Sequence, residues 1–418
     1  MNLLIKSATI VDKASKYNGK KVDILIEKGT ISKIRSKIDN PANFKEFKRD
    51  NLHVSLGWFD SSVSFGEPGY EERETLENGL KTAALSGFTD IVLNPNTNPV
   101  IDSATDVSYI KTTTSSNAVR IHPLGSLTKG SKGVDLAELY DMKKSGAVGF
   151  YDYKKSISNA NLVKIAIQYS QTCDTLVCMF SEDEKIKGSG VANEDVSSTH
   201  LGLKGIAPLA EEIQIARNIY LTEYTGGKLH LPTISTDGSV AQIKNAKKSG
   251  IDVSCSVAIH NLFLDDSMLD QFDGNLRVSP PLRTIKNNKV LIKAVKDSVI
   301  DMVTSDHSPI DIEDKKVAFE HAKNGTIGLE SAFGALNSLF DTELAVELLI
   351  KGRERFKIES PSIGEGVEAN LTFFNPDTAY TFSEDHIHST SKNSAFLGQE
   401  LKGSVYGIFS NNKLVTNQ

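Results

Sequence analysis

Residues 57–75 read GWFDSSVSFGEPGYEERET. An apolar opening of strand length, Gly57 to Val63, runs into the turn-forming residues 66–69, GEPG, and then into a helix-prone continuation, ERETLENGLKTAALSG (72–87). One strand followed by one helix is a unit that recurs downstream. Short β-rich runs appear at 89–95 (TDIVLNP), 119–127 (VRIHPLGSL), 147–153 (AVGFYDY), 174–180 (DTLVCMF), 228–235 (KLHLPTIS), 251–257 (IDVSCSV) and 299–306 (VIDMVTSD). Between them lie helical stretches such as AELYDMKKSG, PLAEEIQIARNIYLTEYTGG and GSVAQIKNAKKSG, several stopping at Gly after Lys or Ser. Strands alternating with helices in this way predict an α/β fold of parallel strands closed into a TIM-type (β/α)8 barrel.

The flanks have a different character. LLIKSATIV, KVDILIEKGTISKIRS and EFKRDNLHVSLG near the start, and the stretch from GEGVEANLTFFNPD to the end, read as strands and turns, with EKGT as a hairpin turn. We expect residues 1–55 and 360–418 to build one small β-sandwich domain together, with the barrel, residues 56–359, inserted between them.

A chain of 418 residues, 39% of them hydrophobic, can bury a large core. Its net charge of −6 argues against nucleic acid or anionic membrane as an obligatory partner, leaving small molecules or other proteins. Three cysteines, Cys173, Cys178 and Cys255, form neither a disulfide framework nor a CxxC zinc pair and suit a reducing cytoplasm. The first twenty residues lack the pattern of a signal peptide, and no apolar run is long enough to span a bilayer.

Function in such a barrel belongs where strands end and the following loops begin. The residues there are Asp60, Ser62, Ser64, Asp152, Phe180, Thr233, His260, Asp306 and His307. Asp306, followed by His307 after an apolar run, is the strongest candidate: such an aspartate can bind a metal and take a proton from water, and its plain alternative is a loop cap or local ion pair.

Over nearly its whole length the chain resembles the long bacterial class of dihydroorotases, in the amidohydrolase superfamily. FDSSVSFGEPGYEERET is similar to the family's D-x-H-x-H-x-R-E-P-G stretch and NPNTNPV to its P-N-T-x-P; RVSPPLR, TSDHSPIDIEDK and GTIGLESAF match further segments. The resemblance implies hydrolysis of the cyclic amide dihydroorotate to carbamoyl aspartate at a zinc centre. It also exposes the departures. Ser62, Ser64, Phe180 and Thr233 stand at the four histidine-ligand positions, and only Asp152 and Asp306 remain of the carboxylates, with Tyr153 and Lys154 completing what would be F-[ST]-D-D-G. A hydroxyl is a poor zinc ligand and a phenyl ring is none.

On the substrate side, Gly66 replaces an arginine and Ser279 an asparagine, while Asn96 and His307 keep substrate-contacting positions. No metal is expected, and Asp306 is left as a vestigial general base. Lys154 or Lys155 would put a positive charge where metal stood, compensating Asp152 and Asp306 if both are buried. Of the nine histidines, His230 reads as a packing residue, His260 as a hydrogen-bonded structural one, and His386 with His388 as a polar loop or edge strand. The resemblance therefore implies a catalytically silent dihydroorotase homologue of pyrimidine biosynthesis, a structural or regulatory subunit partnering aspartate transcarbamoylase and other copies of itself. The alternatives are an active hydrolase whose oxygen-ligated centre, built from Asp60, Asp152, Asp306 and the hydroxyls of Ser62 and Ser64, holds Mg²⁺, Mn²⁺ or Ca²⁺ weakly in place of zinc, and a metabolite sensor using Asn96 and His307.

Overall fold

A computed structural model describes residues 1–40, 43–359 and 361–417, so the domain boundary expected at residue 360 lies outside the described residues. The eight β-rich runs form one parallel sheet in chain order: Trp58–Val63, Phe88–Leu93, Arg120–Gly125, Gly149–Tyr151, Leu176–Cys178, Leu229–Leu231, Val253–Ala258 and Met302–Thr304. The first and last are brought together by a bridge between Val63 and His307 and by Ser64 N–H donating to the His307 carbonyl at 2.8 Å, which brings the barrel nearly to closure.

Strands of such a barrel are covered on both faces, and Trp58–Val63, Phe88–Leu93 and Val253–Ala258 are buried at every position. Alternation sorts their side chains: Phe59, Val92, Leu124, Tyr151, Cys178 and Met302 meet in one cluster, while Trp58, Ile91, Phe150, Val177 and Val303 pack in the larger core with the helices.

Helix starts follow local chemistry. Thr75 caps Leu76–Leu85, Ser103 and Asp106 form a capping box on Ala104–Thr114, and Asn159, Thr236 and Thr284 cap the helices after them. The helix expected from Glu72 thus begins only at Leu76, because the Thr75 hydroxyl takes the Asn78 N–H and fixes the entry there.

Both chain ends share a mixed eight-stranded sheet, ordered Lys413–Thr416, Glu400–Ser410, Leu371–Thr381, His53–Leu56, Leu3–Val11, Lys21–Glu27 and Thr30–Arg35, with Lys45–Phe47 beside Leu3–Val11. It curls around a core of its own that includes Ile5, Ile24, Val54, Phe373 and Phe409. The expected hairpin turn is Lys28-Gly29, both at positive φ, which the tight connection between twisted strands requires. Among the described residues no helix is long and apolar enough to cross a membrane.

A buried charge cluster ties the opening half of the second strand to the rest of the molecule. Asp90 accepts from Arg120 Nε at 2.8 Å, from Arg353 Nη2 at 2.8 Å and pairs with His122 Nε2 at 2.9 Å. Burial alone would raise its carboxyl, but His122, Arg353 and Arg120 together hold it far below the usual range. Asp90→Asn should therefore cost about 2–3 kcal/mol, because the amide keeps some hydrogen bonds but leaves the guanidinium groups uncompensated. Since the folded value is depressed, this contribution is complete above the unfolded carboxyl's range and lost as pH falls. Urea unfolding at pH 7 and pH 2.5 checks it: the gap between wild type and variant should shrink at the lower pH, which lies below the unfolded carboxyl's range.

Candidate functional site

The barrel mouth collects most of the residues expected there, in an arrangement governed by one lysine. Lys154 follows the fourth strand and takes a left-handed backbone, φ 54°; so does Asp306 beyond the eighth, φ 49°. The two turns bring Lys154 Nζ to 2.7 Å from Asp306 Oδ2, with both side chains largely buried. The same ammonium donates to the Ser279 carbonyl and lies 5.7 Å from the centre of the Phe180 ring. Asp306 Oδ1 accepts from Ser62 Oγ at 3.1 Å. Burial pushes the Asp306 carboxyl up from its ordinary value, and the Lys154 charge and the Ser62 hydroxyl pull against that.

Ser62 and Ser64 do share a face, as alternation requires, and Asn94 Nδ2 bridges them at 3.1 and 3.2 Å. Asn94 was not singled out from the sequence. It lies two positions beyond the inward Val92, and strand parity alone would have pointed to it. Tyr153, buried, sets its hydroxyl between the Ser64 and Ser308 side chains, and burial raises its phenol well above the usual value.

The expected pairing of a lysine with both Asp152 and Asp306 holds for Asp306 only. Asp152 turns to the loop after the third strand, accepting from Ser126 Oγ at 2.8 Å, from the Leu127 and Thr128 N–H groups at 3.0 Å each, and from Thr128 Oγ1. Four donors satisfy this carboxylate without a cation. Lys155 goes to the Ser131 carbonyl at 3.2 Å. Asp60 is likewise occupied in closing the barrel, accepting from Ser62 N–H at 3.0 Å, Ser305 N–H at 2.9 Å and Thr304 Oγ1.

Phe180 fills space in the inner barrel cluster with Tyr151 and Cys178, and Thr233, φ 51°, donates its N–H to Ser256 Oγ at 3.1 Å while its buried hydroxyl has no hydrogen-bond partner among the described residues. Gly66 cannot be replaced by anything larger: a Cβ there would collide with the Tyr70 carbonyl oxygen, because the 66–74 loop folds back on itself. An arginine clamp has no room at this position.

His307 is wholly buried. Its Nδ1 accepts from the Gly328 and Leu329 N–H groups at 3.2 and 3.4 Å, at the start of the Leu329–Leu339 helix, so the ring proton sits on Nε2, which has no partner among the described residues. Burial pushes its pKa down to about 3. The ring should stay neutral between pH 8 and pH 5, and constant 15N imidazole shifts across that range would verify it.

His230 packs as expected, Nδ1 at 2.9 Å from Ser254 Oγ and the ring against Phe356. His260 departs from expectation. It is fully buried, yet neither ring nitrogen has a hydrogen-bond partner among the described residues, because it borders a cavity of about 130 Å³ that Tyr153, Lys154, Ser279, Asp306 and Ser308 also line. Asn96 does not line that cavity; its Oδ1 is buried with no hydrogen-bond partner among the described residues. His386 lies in the loop between two strands of the outer sheet, stacked on Phe382, as its polar-loop reading implies.

Zinc does not fit this donor set. Two serines, a threonine and a phenylalanine supply no competent ligand, the remaining carboxylate already holds an ammonium at 2.7 Å, and among the described residues no three of His, Cys, Asp or Glu gather where an ion could sit.

The protein family described as Dihydro-orotase-like matches residues 53–239. The dihydroorotase of Geobacter metallireducens is 34% identical over 422 residues, covering 99% of each chain. That of Caldanaerobacter subterraneus subsp. tengcongensis is 36% identical over 413 residues, covering 97% of this chain and 95% of the relative. Among solved structures, the L-hydantoinase (dihydropyrimidinase) from Arthrobacter aurescens superposes with a TM-score of 0.86 at 20% identity, covering 100% of this chain and 96% of that one, a likeness of fold. With a third of its residues shared along the full length of dihydroorotases, and with the barrel in place, the chain belongs to the dihydroorotase family.

Proposed function

We propose that this member of the family does not hydrolyse dihydroorotate and serves pyrimidine biosynthesis as a structural or regulatory subunit, in the cytoplasm, with aspartate transcarbamoylase as its partner. The observation that carries the reading is the Lys154–Asp306 pair, an internal cation on the one carboxylate that would otherwise activate water. Bulk water has a pKa near 15.7, against about 7 on zinc. A lone general base contributes ~10²–10⁴-fold, short of the 10⁶-fold or more expected of an enzyme. Both Asp306 oxygens are engaged, so even that contribution is blunted. The oxygen-ligated alternative loses two of its three carboxylates, since Asp60 and Asp152 are committed to the barrel and to a loop. The partner rests on the family resemblance alone.

A second reading, binding of a small metabolite without turnover, draws support from the cavity beside His260 and its two unpartnered nitrogens. Co-sedimentation of the purified chain with aspartate transcarbamoylase from the same organism tests the subunit role. A joint boundary with altered carbamoyl-transfer kinetics is the expected result, and independent boundaries at micromolar concentration would remove that partner. Thermal shifts with dihydroorotate or carbamoyl aspartate test the second reading.

A further inference from the structure

The floor of the barrel, at the far end from Lys154 and Asp306, holds another cavity of about 130 Å³. Val148, Thr175, Lys228 and Asp252 border it, each standing one residue before a strand, the fourth to the seventh. Arg355 and Lys357 close it from below, at the end of the Lys351–Phe356 turn that leads out of the barrel towards the outer sheet. Lys143 reaches it from the last turn of the Leu139–Lys144 helix. Barrels of this kind carry their chemistry at the opposite end, so a charged cavity here calls for an explanation other than hydrolysis.

What the cavity lacks is acceptors. Lys143, Lys228, Arg355 and Lys357 border it, against the carboxylates of Asp174, Asp252 and Glu354. Two of these carboxylates are already engaged: Asp174 accepts from Lys228 Nζ at 2.9 Å and from Lys357, and Asp252 accepts from Arg355 Nη1. Glu354 is exposed and also borders a separate groove beside Val11 and Val346. Three donors are left over. Lys143 Nζ has no hydrogen bond or ion pair among the described residues. Thr175 is only 4% exposed, and its hydroxyl is buried with no hydrogen-bond partner among them. Arg355 Nε is buried with none either, while its Nη2 is held by the Leu229 carbonyl at 2.8 Å. Burial and the Lys357 charge hold the Lys143 ammonium below its ordinary value, with Asp174 and Cys173 pulling the other way. A lysine in the last turn of a helix is commonplace, but this one is half-buried, faces a second ammonium and shares its cavity with two unused donors. An anion would relieve all three.

An ammonium, a hydroxyl and a guanidinium N–H are donors that phosphoryl oxygens accept from, and the cavity has room for one tetrahedral oxyanion. We infer that the barrel floor binds a phosphoryl oxyanion, either free phosphate or the phosphate of a small monoester, on Lys143 Nζ, Thr175 Oγ1 and Arg355 Nε. The ion would tie the Leu139–Lys144 helix and the start of the fifth strand to the segment that leads to the outer sheet. The inference is independent of whether the barrel mouth is silent. Calorimetric titration of the full chain with inorganic phosphate and with ribose 5-phosphate, in chloride buffer of fixed ionic strength, tests it. One site per chain with a submillimolar dissociation constant is expected for at least one of them, and the tighter of the two identifies the source of the oxyanion. Lys143→Met and Thr175→Val should each weaken that binding at least tenfold. In phosphate-free buffer Lys143→Met should unfold at no lower temperature than the wild type, because its ammonium has no partner to lose. A hundredfold excess of ligand over its dissociation constant should raise the wild-type midpoint by about 3 °C and leave that of the variant nearly unmoved. No saturable binding of either ligand below 10 mM, or binding that survives both substitutions, would overturn the proposal. A Lys143→Met variant less stable than the wild type without phosphate would overturn it too, by showing that the lysine serves the fold.

Discussion

Lys154→Met is expected to lower the stability of the folded chain by about 3–5 kcal/mol, the cost of removing one partner of a buried ion pair and leaving the other charged. Asp306 is the residue left behind. It is buried, keeps only the Ser62 hydroxyl on Oδ1, and already has its carboxyl pushed up by burial while Lys154 is present. The Ser279 carbonyl loses its donor as well. The sign of the pH dependence follows. Without the ammonium the folded-state value of Asp306 rises further above the unfolded one, and a raised carboxyl contributes stability that is present at low pH and lost as pH climbs. The deficit should thus be larger at pH 8 than at pH 5, in unfolding midpoints measured by urea or heat. Lys154→Met combined with Asp306→Asn should recover more than half of it, since two neutral groups of similar shape replace an orphaned charge. A single variant as stable as the wild type would mean that water, rather than Lys154, solvates Asp306.

The second large effect concerns metal. Restoring four imidazoles by Ser62→His, Ser64→His, Phe180→His and Thr233→His should leave zinc binding weak, because the Lys154 ammonium still stands on Asp306. A unit charge 4 Å from another costs about 4 kcal/mol at an effective dielectric of 20, about a thousandfold in affinity. Adding Lys154→Gly and Tyr153→Asp should therefore tighten zinc by at least three orders of magnitude. Glycine suits the left-handed backbone at 154, and position 153 is the one whose side chain faces Ser64 and Ser308. Competition with a chelator of known affinity reads both variants. Equal affinities in the two would show that the lysine does not govern the site.

Much of this was legible in the sequence because it depends on period. Eight apolar runs spaced by helical stretches give the barrel, and the two-residue repeat puts Ser62 and Ser64 on one face. What escaped depends on backbone turns that no period encodes. The left-handed conformation at Lys154 aims its chain at Asp306, while the loop at 126–128 captures Asp152 with its own N–H groups, so the two aspartates part company. His260 looked like a satisfied core residue because its burial is legible from its apolar neighbours, but the cavity beside it is made by Ser279 and Ser308, distant in sequence. The closed loop that leaves Gly66 no room for a side chain is set by the Tyr70 and Glu74 backbone, again invisible to composition.

Elemental analysis of the chain purified from zinc- and manganese-supplemented culture, with a dihydroorotate hydrolysis assay on the same sample, tests the silent barrel mouth most directly. The expected result is metal far below one equivalent and no turnover above the uncatalysed rate. One equivalent of metal with turnover abolished by Asp306→Asn would contradict it, and would mean that Lys154 leaves Asp306 when an ion arrives.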